Sequence, residues 1–185
     1  MQTICEKIIT VKSKKRTWIV DQILDCLKDP NIYNTIDCKN RKEDYIKQYM
    51  HKFIIDRLEA IHQQLYPGLG EQTARKKARE SLLWESDRKT TVNNVQFFGV
   101  QHRPDFLIQL FDLKIAVEIK KGDNGFSIRE GLGQSLVYST NYDFTVYLFI
   151  DTSKDLKVKK SLASREERFL IMKLWENLNI RFDVA

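Results

Sequence analysis

Apolar and polar positions along this chain follow two periods in turn, and the changes between them mark its elements. In residues 17–29, apolar side chains at 18, 19, 20, 23, 24, 26 and 27 keep a helical spacing that Pro30 should end. Residues 31–40 are polar and read as a loop. A longer helix is predicted over 43–65, where Ile46, Tyr49, Met50, Phe53, Ile54, Leu58, Ile61 and Leu65 recur until Pro67 and Gly68 stop it. Residues 71–85 read as a weaker, exposed basic helix carrying Arg75, Lys76, Lys77 and Arg79 and ending in Leu82, Leu83 and Trp84.

The period then shortens to two. Residues 90–100 predict a strand ending at Gly99, with its aromatics taken up in sheet packing, and residues 103–120, RPDFLIQLFDLKIAVEIK, predict two more strands. An antiparallel turn at Phe111 and Asp112 makes paired positions sum to a constant, so Asp105 lies opposite Glu118. Alternation puts Arg103, Asp105, Leu107 and Gln109 on one face of the hairpin with Ala116, Glu118 and Lys120. Phe106, Ile108, Leu110, Ile115, Val117 and Ile119 form a core wall on the other. After a loop at 121–125, Ser127 and Glu130 make a capping box that should open a helix running to about Ser139. Residues 143–151 fit a strand buried on both faces, 154–160 a basic connector, 164–177 an amphipathic helix and 179–184 a closing strand. This order predicts an α/β sandwich with a mixed sheet and flanking helices.

Composition narrows the setting. A chain of 185 residues, 42% of them hydrophobic, is expected to form one domain, with residues 1–40 as an N-terminal helical extension and 41–185 as the core. The net charge of +6 and a pI near 9.1 suit a polyanionic partner. Cys5, Cys26 and Cys38 show neither disulfide nor metal-ligand spacing, which points to a reducing compartment. The absence of a long apolar run or a signal-like N-terminus predicts a soluble, cytoplasmic protein without a membrane partner.

The hairpin carries the candidate chemistry. Cleaving a phosphodiester requires neutralising the phosphate and producing a nucleophile near neutral pH, and carboxylate-bound Mg²⁺ or Mn²⁺ does both. Asp105, Glu118 and the carbonyl of Ile119 are suitable hard ligands, and two facing carboxylates repel unless a cation lies between them. Lys120, one pleat past Glu118, can orient water or stabilise the pentacovalent phosphate. Gln134 and Tyr138, four residues apart on the next helix, can face the site or a DNA backbone. His51 and His62 lack metal-ligand spacing, His102 at a strand start reads as structural or exposed rather than as a phosphate contact, and Trp18, Trp84 and Trp175 fit core or rim positions.

A Pro-Asp pair, twelve residues, Glu-Ile-Lys and then a helix with Q-x-x-x-Y resembles the PD-(D/E)XK nuclease superfamily, and its helix motif resembles the exonuclease and Cas4-like branch. The resemblance implies a restriction-endonuclease-like αβββαβ core, spanning about residues 43–151, and metal-dependent cleavage of DNA. It implies metal-binding roles for Asp105 and Glu118 and a catalytic one for Lys120. It also implies a glutamate on the helix before the first strand: Glu43 is the first choice, Glu80 the second and Glu59 the third. No cysteine cluster suggests an iron–sulfur centre. If both strands of a duplex are cut, a homodimer is expected, since one site serves one strand. Two other outcomes fit the same fold: a module that binds without cutting, and a subunit of a larger defence or repair complex.

Overall fold

The structure, a computed structural model, describes residues 12–87 and 92–185. The expected strand residues at 90 and 91, and Cys5, lie outside them. Helix α1 (Lys14–Leu27) starts at Ser13, whose hydroxyl accepts from the Arg16 N–H. Pro30 ends that run but also opens a short helix α2 (Pro30–Thr35), where its fixed φ and missing N–H are harmless in the first turn. Part of the expected 31–40 loop is therefore helical. Helix α3 (Glu43–Leu65) has the predicted limits. Helix α4 (Glu71–Glu80) is shorter than expected, because Leu82, Leu83 and Trp84 leave it to form strand β1 (Leu82–Trp84).

β1 pairs antiparallel with β4 (Phe106–Leu110), which pairs antiparallel with β5 (Leu113–Gly122). Phe106 faces Val117 and Leu110 faces Leu113, the expected register. Helix α5 (Gly125–Ser139) then leads to β6 (Phe144–Asp151), parallel to β5 and buried throughout. Short α6 (Lys157–Ser161) overlaps the expected basic connector and runs one residue past it. Helix α7 (Arg165–Leu178) returns the chain to β7 (Ile180–Val184), parallel to β6. The result is a five-stranded mixed sheet, ordered β1-β4-β5-β6-β7, with helices on both faces.

Two further expectations change. The strand at 90–100 becomes a separate two-stranded hairpin, β2 (Val95–Phe97) and β3 (Val100–His102), turning at Phe98 and Gly99. Its Phe97 and Phe98 are exposed instead of packed into the main sheet. Helix α5 begins earlier than the Ser127 capping box predicts, because the Asn124 side chain accepts from the Phe126 N–H and caps it first. The N-terminal helix packs on the core. Ile19, Val20, Ile23, Leu24 and Leu27 of α1 join Ile46, Met50, Ile54 and Leu58 of α3 in one apolar cluster against Ile108, Ile115, Val117, Val146 and Leu148 of the sheet.

Candidate functional site

The site forms where one strand outlasts its neighbour. The β4–β5 ladder ends at Phe106 and Val117, while β5 continues to Gly122 beside β6 alone. Pro104, which faces Ile119 if the register is continued, has no N–H to offer. Residues of a strand send N–H and C=O toward the same edge, so Ile119 and Lys121 turn their backbone polar groups toward this gap. Carboxylates fill the place of the missing strand. Asp105 Oδ2 accepts from the Ile119 N–H at 2.7 Å, and Glu43 Oε2 accepts from the Lys121 N–H at 3.1 Å.

Lys121 also fixes where Glu43 stands. Its ammonium donates to the carbonyls of Cys38 and Lys39, at 2.9 and 3.2 Å, and to that of Arg41. This ties the segment before α3 to the end of β5. Glu43 lies in the first turn of α3, where the helix dipole favours a carboxylate. One turn later Lys47 reaches back, 2.7 Å from Glu43 Oε1 and 2.6 Å from Asp105 Oδ1. Lys120 lies 3.2 Å from Glu118 Oε1, with Glu130 at 4.0 Å.

The acid-bearing face is covered, and this is where the hairpin differs from a simple surface pair. Asp105 and Glu118 are only 4% and 2% exposed, because α5 lies across Leu107 and Ala116. That close approach needs Gly131: a Cβ there would stand 2.5 Å from the Tyr147 hydroxyl. Burial, then the charge of Asp105, pushes the Glu118 carboxyl up to about 8, with Lys120 and Lys47 opposing. Burial likewise raises Asp105 to about 6 while Lys47 pulls it back. Lys47 loses solvation, yet Asp105 and Glu43 outweigh that and raise its pKa. Lys120 is raised in the same way, burial being overcome by Glu118 and then Glu43.

Of the residues singled out in the sequence, Asp105, Glu118, Lys120, Ile119 and Glu43 come together. Glu80 does not. It is an exposed partner of Lys76 at 3.9 Å, next to Ser81, whose carbonyl accepts from the Gln109 N–H at the far end of β4. Glu59 pairs with Arg75 at 2.8 Å and is sixteen residues along α3 from Glu43, about 24 Å away. Arg75 also bridges to Asp56, so the basic run is partly neutralised by its own neighbours. Tyr138 is fully buried and its hydroxyl donates to the Arg103 carbonyl, while Gln134 keeps a buried Oε1 without a partner among the described residues. The sequence reading missed Lys47. Its spacing of four from Glu43 was visible, but its contact with Asp105 crosses 58 positions.

Among the described residues, no three Asp, Glu, His or Cys side chains converge as a metal would gather them; the Lys47 ammonium stands between Glu43 and Asp105 instead. Glu118 Oε2 is nonetheless buried with no hydrogen-bond partner among the described residues. With Glu118 protonated the set is balanced; once Glu118 gives up its proton, three carboxylates against two ammonium groups leave a deficit of positive charge that a cation fits. The chain matches no family model, no curated protein and no solved structure.

Proposed function

We propose that this chain is a divalent-metal-dependent nuclease acting on DNA, on a restriction-endonuclease-like variant of its mixed α/β sandwich. The observation that carries the reading is the buried Oε2 of Glu118, without a hydrogen-bond partner among the described residues, beside Asp105 and with Lys120 one pleat away on the same strand. Asp105, Glu118 and the Ile119 carbonyl would hold Mg²⁺ or Mn²⁺, and Glu43 would complete the acidic set. The cation's contribution is to neutralise phosphate charge and acidify water. Lys120 orients the attacking water and donates to the phosphate oxygens as negative charge builds on them. Burial under α5 excludes bulk solvent and strengthens each of these interactions. Tyr138 acts as a strut that holds the Arg103 carbonyl beside the site, and the Gln134 amide is the group of α5 assigned to a substrate contact.

Incubating the full chain with plasmid and single-stranded DNA in Mg²⁺ or Mn²⁺ tests the reading. Cleavage is expected, and it should disappear in Glu118→Ala and Lys120→Ala; cutting that persists in both variants would refute the assignment. Calorimetry with Mn²⁺ should show weaker binding in Asp105→Ala.

A second reading is a module on the same fold that binds nucleic acid without cutting. Lys47 favours it, since its ammonium already neutralises Glu43 and Asp105. Undetectable Mn²⁺ binding by the parent chain, together with retained DNA binding, would select it.

A further inference from the structure

Two hairpin turns place a phenylalanine in left-handed backbone, and only one has a packing reason for it. Phe111, at φ 60° in the β4–β5 turn, sets its ring against Tyr66 and His62, with centroids 5.8 and 6.4 Å away, and under the Lys15 ammonium at 5.7 Å. Phe98 opens the β2–β3 turn at φ 47° and Gly99 follows at φ 76°. A type I′ turn requires positive φ at both central residues, and Asn or Gly occupies the first at least cost. A phenylalanine strains it. Its side chain is 92% exposed, and the ring beside it is Phe97, edge-on at 4.5 Å and itself exposed. No burial offsets the strain.

The root of this hairpin is firmly built. Val95 packs with Leu107, Ala116, Val137, Tyr138 and Tyr142 on the acid-bearing face of the sheet. The Asn94 side chain donates to Gln101 and accepts from Arg103, and the Arg103 carbonyl takes the Tyr138 hydroxyl. Arg103 lies two residues before Asp105, so the root ends at the carboxylate site and the tip is within about 25 Å of it. From Val92 to Pro104 the chain has no acidic residue, while Gln96, Gln101 and Arg103 are exposed along the hairpin. An aromatic tip with amide and guanidinium flanks and no carboxylate complements a strand of phosphates carrying flat bases.

We propose that the Phe98 tip is a stacking platform for an unpaired base of a nucleic-acid strand bound beside Asp105 and Glu118. The choice of ligand rests on the nuclease reading, but the stacking itself requires no cleavage. Left-handed backbone at Phe98 projects the ring outward, and the tied root keeps it at a fixed offset from the site.

The test uses the full chain, with EDTA present, and a single-stranded DNA oligonucleotide containing 2-aminopurine. Binding should quench the probe. Phe98→Asn, which suits left-handed backbone, should weaken binding roughly 5- to 150-fold, abolish the quench and melt no lower than the parent; Phe98→Trp should keep both binding and quench. Unchanged binding and quench in Phe98→Asn overturn the proposal, as does a parent chain that binds no DNA. It is also overturned if sedimentation shows a parent dimer that Phe98→Asn dissociates with DNA affinity intact, since the tip would then be a protein contact. Plasmid cleavage in Mg²⁺ is read separately. A parent that cuts but does not stack sinks only the tip, and one that stacks but never cuts sinks only the nuclease reading.

Discussion

Helices cover both faces of the central sheet, but the two faces bury different chemistry. Against α1 and α3, β4, β5 and β6 present Ile108, Ile115, Val117, Val146 and Leu148, an apolar set; the buried polar groups on that side, Lys47 and His62, belong to α3. Against α5, the same strands present Leu107, Ala116, Glu118, Thr145 and Tyr147, and α5 adds Ser135 and Tyr138. Glu118 Oε2, Thr145 Oγ1 and Gln134 Oε1 are buried there without hydrogen-bond partners among the described residues. Buried polar atoms left unpaired cost free energy. The strands of one face therefore contribute apolar packing, while those of the other give up stability to keep a carboxylate in a solvent-poor place.

Substitutions can break or sharpen this contrast. The largest effect is expected in activity: Lys120→Ala should lower cleavage by roughly 10²–10³-fold while leaving the urea midpoint nearly unchanged. On the apolar face, Leu148→Ala should cost about 2–5 kcal/mol by leaving a cavity, seen as a lower urea midpoint with the slope preserved. The acid-bearing face should also give the protein an inverted pH response. Glu118 and Asp105 have folded pKa values above their ordinary ones, so folding takes up protons where the unfolded chain has released them. Their contribution is then greatest at acid pH and declines as pH rises from about 4.5 toward 8. Lys47 and Lys120 titrate above this window and do not mask it. Thermal melts across that range should show a falling midpoint in the parent and a flatter profile in Glu118→Gln. Smaller still, Lys47→Met should tighten Mn²⁺ binding severalfold by calorimetry, because the competing ammonium is gone. Thr145→Val should raise stability by about 1 kcal/mol by removing an unpaired hydroxyl; a loss instead would mean that the hydroxyl has a partner after all.

Much of the contrast could be read in the sequence. A two-residue turn leaves little choice of register, so Asp105 and Glu118 could be set opposite each other, and strict alternation separated Ile115 and Val117 from Ala116 and Glu118. The limits of α3 were readable because Pro67 and Gly68 follow a long periodic run. Other features depended on competition between signals. Leu82, Leu83 and Trp84 are too few to show a period of two, and the helix before them hid β1. Asn124 and Ser127 both make good caps, and nothing local ranks one above the other. The covering of the acids by α5 depends on Gly131 meeting Tyr147, sixteen positions apart, and Lys47 finds Asp105 across a greater span. Contacts of this kind are written in tertiary packing and not in any window of residues.

The two carboxylates that stand in for the end of β4 also make the backbone a gauge. Asp105 and Glu43 are the acceptors for the Ile119 and Lys121 amides, so whatever draws either carboxylate away uncovers a specific N–H. Hydrogen exchange at these two amides should quicken when a ligand claims the acids and stay slow otherwise, reporting occupancy of the site without any turnover.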